Sequence, residues 1–301
     1  MSMIKVNQSS NGQPVELFYQ DIGAGSPVVL IHGWPVSHAM WEYQMLALVN
    51  NGYRVIAYDR RGFGHSSKPS DGYDYDTLAD DLKGLLDGLD LENVSLVGFS
   101  MGGGEVARYM NRHRAERVSK VALISAVTPF MLKTSNNPDG VDQKVFSEMQ
   151  QGLQEDRFDF LSSFGKDFFG VTLINNAVSA ATLNWAQNLA AAASPIATLK
   201  CVEAFSHTDF RKDLLAIQVP TLIIHGDDDK TVPIAASGDR TAELLSHADY
   251  KVYEGAPHGL FITHKDLLNR DLVEFLNAGQ GQYANWRLQP GESALTQQPR
   301  H

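Results

Sequence analysis

The chain has 301 residues and a formal net charge of −10. It lacks any long run of Lys or Arg, so phosphate backbones and anionic bilayers repel it, which sets aside nucleic acid and membrane surfaces as partners. Hydrophobic residues make up 43%, ample material for one large α/β domain or two smaller ones. A single cysteine, Cys201, excludes an internal disulfide and fits a reducing compartment. The first residues, MSMIKVNQSS, have no basic region followed by an apolar stretch, and no apolar run approaches the roughly 20 residues that span a bilayer. A soluble, cytoplasmic protein is expected.

Two short strands are predicted at Met3–Asn7 and Val15–Gln20, with Asn11-Gly12 between them as a tight-turn dipeptide. Five apolar runs follow: Val28–Ile31, Arg54–Tyr58, Val94–Val97, Val118–Ile124 and Thr221–Ile224. They lack polar alternation, as parallel strands covered on both faces do. Helices are predicted over Tyr75–Leu91, Met101–His113, Ile234–Ser246 and Lys265–Leu276, the first with Leu78, Leu82, Leu85, Leu86 and Leu89 on one face. Alternating strand and helix predicts an α/β fold around a mostly parallel, doubly wound sheet. The alternation stops between Val127 and Gln218, where Phe, Ala and Leu abound and a helical stretch surrounds Ala190–Ala193. This segment reads as a helical lid inserted over the sheet's C-terminal edge. Residues 1–276 are therefore expected to form one domain with a lid at about 127–218, and 277–301 a tail rich in Gly, Gln, Pro and Ser.

Gly98-Phe99-Ser100-Met101-Gly102 lies between an apolar strand and a helix, the context of a nucleophile elbow, in which glycines admit the sharp turn that exposes a serine Oγ. The alternative is a glycine-rich turn around a structural serine. Serine needs a base. Of ten histidines, His258 in Gly255-Ala256-Pro257-His258-Gly259 follows the strand-like Tyr250–Tyr253 and precedes the last helix, so its loop leaves the sheet at the edge where ligands bind. His225 and His32 end strands before glycines and read as structural. An acid to orient the imidazole is expected after a strand and before the histidine. Asp227, Asp228 and Asp229 all qualify by spacing; Asp227 and Asp228 have the alternative role of turn formers. Strand Val118–Ile124 ends in Ser125-Ala126 and offers no carboxylate. His32-Gly33-Trp34-Pro35 follows another strand, and the N–H groups of Trp34 and Met101 are the expected oxyanion donors. Plain packing of a large aromatic is compatible with that role for Trp34.

These stretches resemble the bacterial cofactor-free haloperoxidase and arylesterase (perhydrolase) branch of the α/β-hydrolase superfamily. The likeness rests on HGWP (32–35), YDRRGFGHSS (58–67), YDYDTLADDL (73–82), LVGFSMGGGEVARY (96–109), PTLIIHGDDDKTVPI (220–234) and APHGL (256–260), and extends to about Leu276. In that family the acid is the third residue after the HG pair, which implies Asp229. The same pattern implies Ser100 as nucleophile, His258 as base, and Trp34 and Met101 as oxyanion donors. Family members often carry Phe at the Trp34 position, and Pro or Leu follows; the Pro35 form is similar to members with stronger perhydrolase activity. The tail takes no meaning from the family.

The expected activity is hydrolysis of small carboxylic esters through an acyl-serine, with hydrogen peroxide as a competing nucleophile and halide oxidation by the resulting peracid. No cofactor and no metal is expected, including at His225 with Asp227–Asp229, because a compact loop offers too few convergent ligands. Pro35, Phe130, Phe164 and Phe168, with Phe169 beside them, are candidates for a substrate pocket, or for packing of the lid on itself. Asp59–Gly64 reads as a turn beside the elbow rather than a carboxylate-binding loop, and Cys201 as a buried residue rather than a nucleophile. A lactamase, a C–C bond hydrolase or an acyltransferase would keep the same three residues, and a non-catalytic binding module would need none of them. An apolar patch on the lid would point to a homo-oligomer.

Overall fold

The computed structural model describes residues 2–172 and 175–278. Strands β1 (Ser2–Gln8) and β2 (Pro14–Gly23) form an antiparallel hairpin. Its loop contains Gly12 with φ +79, a conformation that favours glycine. The chain then gives β3 (Pro27–Ile31), helix α1 (Glu42–Asn50), β4 (Arg54–Tyr58), α2 (Tyr75–Gly88), β5 (Val94–Phe99), α3 (Met101–Arg112) and β6 (Val118–Ile124). The region between the sixth and seventh strands holds α4 (Gln143–Glu155), α5 (Arg157–Phe168), α6 (Ala180–Ala191), α7 (Pro195–His207) and the short α8 (Arg211–Leu214). The last part comprises β7 (Thr221–Gly226), α9 (Gly238–Leu244), β8 (Asp249–Tyr253), α10 (Leu260–Thr263) and α11 (Lys265–Asn277).

Among the described residues the sheet has eight strands, in the order β1-β2-β4-β3-β5-β6-β7-β8. Among the described residues only the pairs made by β2 are antiparallel; β4, β3 and β5 through β8 run parallel. Successive side chains of a strand point to opposite faces, so each apolar run feeds two cores. Val29, Ile31 and Leu96 meet Leu78, Leu82, Val106 and Met110 on one face. Val28, Leu30 and Val97 meet Met45, Leu48, Leu268 and Leu272 on the other. Burial on both sides is why these strands show no polar alternation. The order reverses between β3 and β5, the place where open α/β sheets present a crevice at their carboxyl edge. The α/β-hydrolase type of sheet foreseen from the motifs is thus the observed one.

Some predicted elements differ in their limits. The helix expected to reach Leu91 ends at Gly88, because Asp90 takes φ +47. The single helix expected over Ile234–Ser246 is a 3₁₀ turn, Ile234–Ala236, followed by α9. Ser237 breaks it: its hydroxyl donates to Pro233 O at 2.7 Å. Helix α1 carried too weak an apolar stripe to be foreseen. The region between β6 and β7 contains helices and no strand among the described residues, only isolated bridges at Leu132–Val141 and Thr134–Asn137. Helices α4 to α7 start on side-chain caps, with Asp142, Asp156, Ser179 and Ser194 each accepting a backbone N–H. Among the described residues no helix is long and apolar enough to cross a membrane. The expected tail lies, from 279 onward, outside the described residues.

Candidate active site

Ser100 stands between β5 and α3 with φ +53 and ψ −119. A non-glycine residue there is strained by about 1–3 kcal/mol, and the surroundings impose it. The Ser100 N–H donates to Ile124 O at 2.9 Å, and its carbonyl accepts from Gly103 N at 3.0 Å and Val127 N at 3.2 Å. The flanking glycines admit the close approach: a Cβ on Gly98 would lie 2.6 Å from Gly102 O, and one on Gly102 2.5 Å from Ile31 O. The turn therefore packs backbone against backbone, and the serine hydroxyl takes no part in capping the helix that follows.

Oγ of Ser100 lies 2.9 Å from Nε2 of His258, and Nδ1 of His258 lies 2.6 Å from Oδ2 of Asp229. The three side chains come from the ends of β5, β7 and β8, separated by up to 158 positions in the chain. All three are buried. The rings of Phe99 and Phe168 each pack 4.9 Å from the imidazole. Gly259 N donates to Phe168 O at 2.7 Å, which ties the histidine loop to the end of α5.

The three aspartates separate cleanly. Asp227 Oδ1 accepts from Gly255 N at 2.6 Å, so it staples its turn to the histidine loop. Asp228 is exposed and pairs with Lys230 at 2.6 Å. Asp229 turns inward: its Oδ1 accepts from Thr231 N at 2.9 Å and Val232 N at 2.7 Å, leaving Oδ2 for His258. Burial alone raises the Asp229 carboxyl, but the imidazoles of His258 and His225 outweigh it and hold the group well below the usual carboxylate range.

The loop after β3 closes the other side. A Cβ on Gly33 would fall 2.6 Å from the Phe99 ring and 3.0 Å from Ser100 Cβ, so the Gly33–Trp34 peptide lies directly against the serine. Met101 is the first residue of α3, and its N–H is among those a helix cannot satisfy internally. The Trp34–Pro35 peptide is cis. The indole Nε1 of Trp34 donates to Thr198 O at 3.1 Å, and its ring meets Phe164 and Phe205 edge-on. His32 supports this loop from beneath: Nε2 accepts from Arg60 N at 3.0 Å while Nδ1 lies 2.8 Å from Gly33 O. Burial, with Arg60 adding to it, pushes the His32 imidazole down to about 3, so it is neutral, with the proton on Nδ1 facing the carbonyl.

A cavity of about 340 Å³ opens from Ser100. Its walls are mostly apolar, with Trp34, Val127, Phe146, Phe164, Phe205 and Val232 among them, while Glu148, Asp167 and Lys230 supply charge. Of the pocket candidates, Phe164 lines this cavity. Pro35 and Phe168 instead border a much smaller hollow beside it, with Phe169. Phe130 lies apart from both: its ring sits beneath the Arg211 guanidinium at 5.5 Å, and its carbonyl accepts from Asn137. Phe130 belongs to the segment between β6 and β7 and is buried, but it is not among the residues that line either hollow.

Met131, Met149, Phe146, Phe205 and Val232 line the cavity without having been singled out from sequence. Phe146 and Met149 share one face of α4 at helical spacing, but Met131, Phe205 and Val232 converge on them from separate parts of the chain, so no single periodic pattern marks the set. In the Asp59–Gly64 turn both arginines are committed internally. Arg60 Nε donates to Glu105 at 2.7 Å and its Nη2 to His32 O at 2.8 Å. Tyr58 also donates to Glu105. Arg61 forks onto Asp81 at 2.5 and 2.6 Å. Cys201 is buried, and burial pushes its thiol up to about 12.

A sharp strand–serine–helix turn on a mostly parallel sheet, with an aspartate and a histidine brought to the serine by later strand ends, is the arrangement of an α/β hydrolase, and the chain belongs to that family: residues 26–265 match the family model for the alpha/beta hydrolase fold. Within the family it is similar to a non-heme chloroperoxidase of Kitasatospora aureofaciens, 46% identical over 265 residues, covering 87% of this chain and 96% of that one. It is also similar to a bifunctional esterase/perhydrolase of Acinetobacter calcoaceticus, 40% identical over 269 residues, covering 88% and 97%. Among solved structures, a bromoperoxidase from Bacillus anthracis superposes with a TM-score of 0.87 at 49% identity, covering 91% of this chain and 99% of that one. The haloperoxidase and perhydrolase resemblance drawn from the motifs is thereby borne out.

Proposed function

We propose that this protein is a serine esterase with perhydrolase activity, in which Ser100 is the nucleophile, His258 the general base and Asp229 the acid that orients it. The observation that carries this reading is the continuous chain Asp229–His258–Ser100, at 2.6 and 2.9 Å, ending at an apolar cavity. Ser100 Oγ attacks an ester carbonyl as His258 takes its proton. The oxyanion is held by the N–H groups of Trp34 and Met101, each such donor being typically worth about 10²–10³ in rate. His258 then protonates the departing alcohol and leaves an acyl-serine. Water attacking that intermediate gives the carboxylic acid; hydrogen peroxide attacking it gives the peroxycarboxylic acid. The peracid transfers its terminal oxygen to bromide or chloride, giving hypohalous acid and carboxylate, with no resident cofactor in the sequence of steps. The names of the relatives, chloroperoxidase and esterase/perhydrolase, support this pairing of activities.

In this reading the helices between β6 and β7 act as a lid, supplying Phe146, Phe164 and Phe205 as walls around the acyl group. A cytoplasmic setting fits the unpaired, buried Cys201. The test measures initial rates on phenyl acetate, with and without hydrogen peroxide and bromide, in the wild type and in Ser100→Ala. Ester hydrolysis and peroxide-dependent bromination are expected to vanish together. Bromination that survives Ser100→Ala would overturn the shared acyl-serine.

A further inference from the structure

We propose that Met149 and Met131 are modification sites: their thioethers are oxidised to sulfoxides by the peroxycarboxylic acid formed at Ser100, before that acid leaves the cavity. This rests on the perhydrolase reading above. Both side chains line the same cavity as Ser100. Met131 is 2% exposed and thus shielded from bulk oxidant, yet it borders the space into which the peracid is released. Met149, on α4, is partly buried. Met40, Met101 and Met110 are 0% exposed and are not among the cavity's walls, whereas Met3 on the edge strand β1 is 40% exposed. Accessibility from bulk solvent therefore ranks Met3 above the cavity pair, and accessibility from the site of synthesis ranks the pair above Met3.

The chemistry is complete with the named reactants. A sulfur lone pair attacks the terminal peroxy oxygen, the O–O bond breaks, and the peracid proton passes to the departing carboxylate. The products are one sulfoxide and one carboxylic acid; sulfur loses two electrons and the peroxy oxygen gains them. Confinement favours the step, because the thioether meets each newly formed peracid at high effective concentration, without a bimolecular encounter. A sulfoxide places a strong dipole in an apolar wall. Binding of apolar acyl groups is weakened, so perhydrolysis limits itself as turnovers accumulate, while plain hydrolysis in the absence of peroxide does not.

The test incubates the full chain with phenyl acetate and hydrogen peroxide, without halide, and follows peracid with a dye and methionine oxidation by peptide mass spectrometry. The references are hydrogen peroxide alone, and Ser100→Ala given either the same mixture or preformed peracetic acid. Sulfoxide is expected at Met149 and Met131 several-fold ahead of Met3 in the turning-over wild type. Ser100→Ala in the same mixture should show no more oxidation than peroxide alone causes, and preformed peracetic acid should oxidise its Met3 first. Met131→Leu/Met149→Leu, a volume-conserving pair, should slow the progressive loss of peracid formation relative to its own initial rate. Peracid that accumulates while Met3 is oxidised as fast as the pair overturns this inference alone. No peracid at all removes the perhydrolase reading, and this inference with it.

Discussion

Nε2 of His225 lies 3.4 Å from Oδ2 of Asp229, the same oxygen that holds His258 at 2.6 Å. His225 also meets Val232 O at 2.9 Å, so it clamps both ends of the turn that carries the acid. Asp229→Asn should lower kcat/KM on phenyl acetate by about 10⁴, the scale seen when a triad acid becomes an amide. His225→Ala removes the hydrogen bond to Val232 O, a loss of about 0.5–1.5 kcal/mol, and with it the 3.4 Å contact to Asp229, and should cost up to roughly ten-fold. Asp228→Asn should leave the rate near wild type. Steady-state kinetics on the three variants checks the assignment, and a large loss in Asp228→Asn would refute it.

Stability should fall in acid through His32. Its folded-state pKa is lowered to about 3, from an ordinary value of 6.5. Below pH 6.5 the unfolded chain gains a proton that the folded chain does not, so this contribution is present above 6.5 and lost progressively as pH falls towards 3. Between pH 7 and pH 5 the loss from this one group is about 2 kcal/mol. Urea unfolding at the two pH values should show it, and His32→Gln should flatten that part of the profile. A wild type equally stable at both would contradict the buried neutral imidazole.

Gly33→Ala tests the oxyanion loop. The added Cβ meets the Phe99 ring at 2.6 Å and Ser100 Cβ at 3.0 Å, so the Gly33–Trp34 peptide must move away from the serine. Loss of one well-placed donor predicts a fall in kcat of about 10²–10³. A kcat within threefold of wild type, on the order of 0.7 kcal/mol, would remove Trp34 from the oxyanion role.

Acyl-chain preference should follow the cavity walls. Phe146 belongs to α4 and packs 6.3 Å from Phe205, and both line the cavity. Phe146→Ala should raise kcat/KM for p-nitrophenyl octanoate relative to the acetate. An unchanged ratio would place the acyl group elsewhere.

Cys201 should be inert. Its thiol is buried and pushed up to about 12, so little thiolate is available at neutral pH. The native protein should resist Ellman's reagent until denaturant is added, and Cys201→Ala should hydrolyse phenyl acetate like the wild type.

The strand runs were legible because helices cover both faces of the sheet, which demands continuous apolar stretches such as Val28–Ile31 and Thr221–Ile224. Ser100 was legible because an elbow needs small residues at fixed offsets, and Gly98 and Gly102 sit where any Cβ would strike backbone. Less could be read of the acid. Spacing left Asp227, Asp228 and Asp229 equivalent, and family likeness singled out Asp229. In the structure it is the one whose carboxylate turns inward to His258, while its neighbours staple a turn and pair with Lys230. The burial of Arg60 against Glu105 was hidden as well, because nothing local distinguishes a paired arginine from a solvated one.

By itself, then, the sequence determined the features that follow from local backbone demands: the sheet, the elbow, the histidine loop and the helical character of the region after β6. Tertiary structure alone decided what depends on residues far apart in the chain meeting. Met131, Phe146, Phe205 and Val232 come from different elements yet share one cavity wall, whereas Phe130 is turned towards Arg211. The physical reason is that side-chain convergence depends on how helices pack across the sheet edge, a property of the whole fold that no short stretch of sequence encodes.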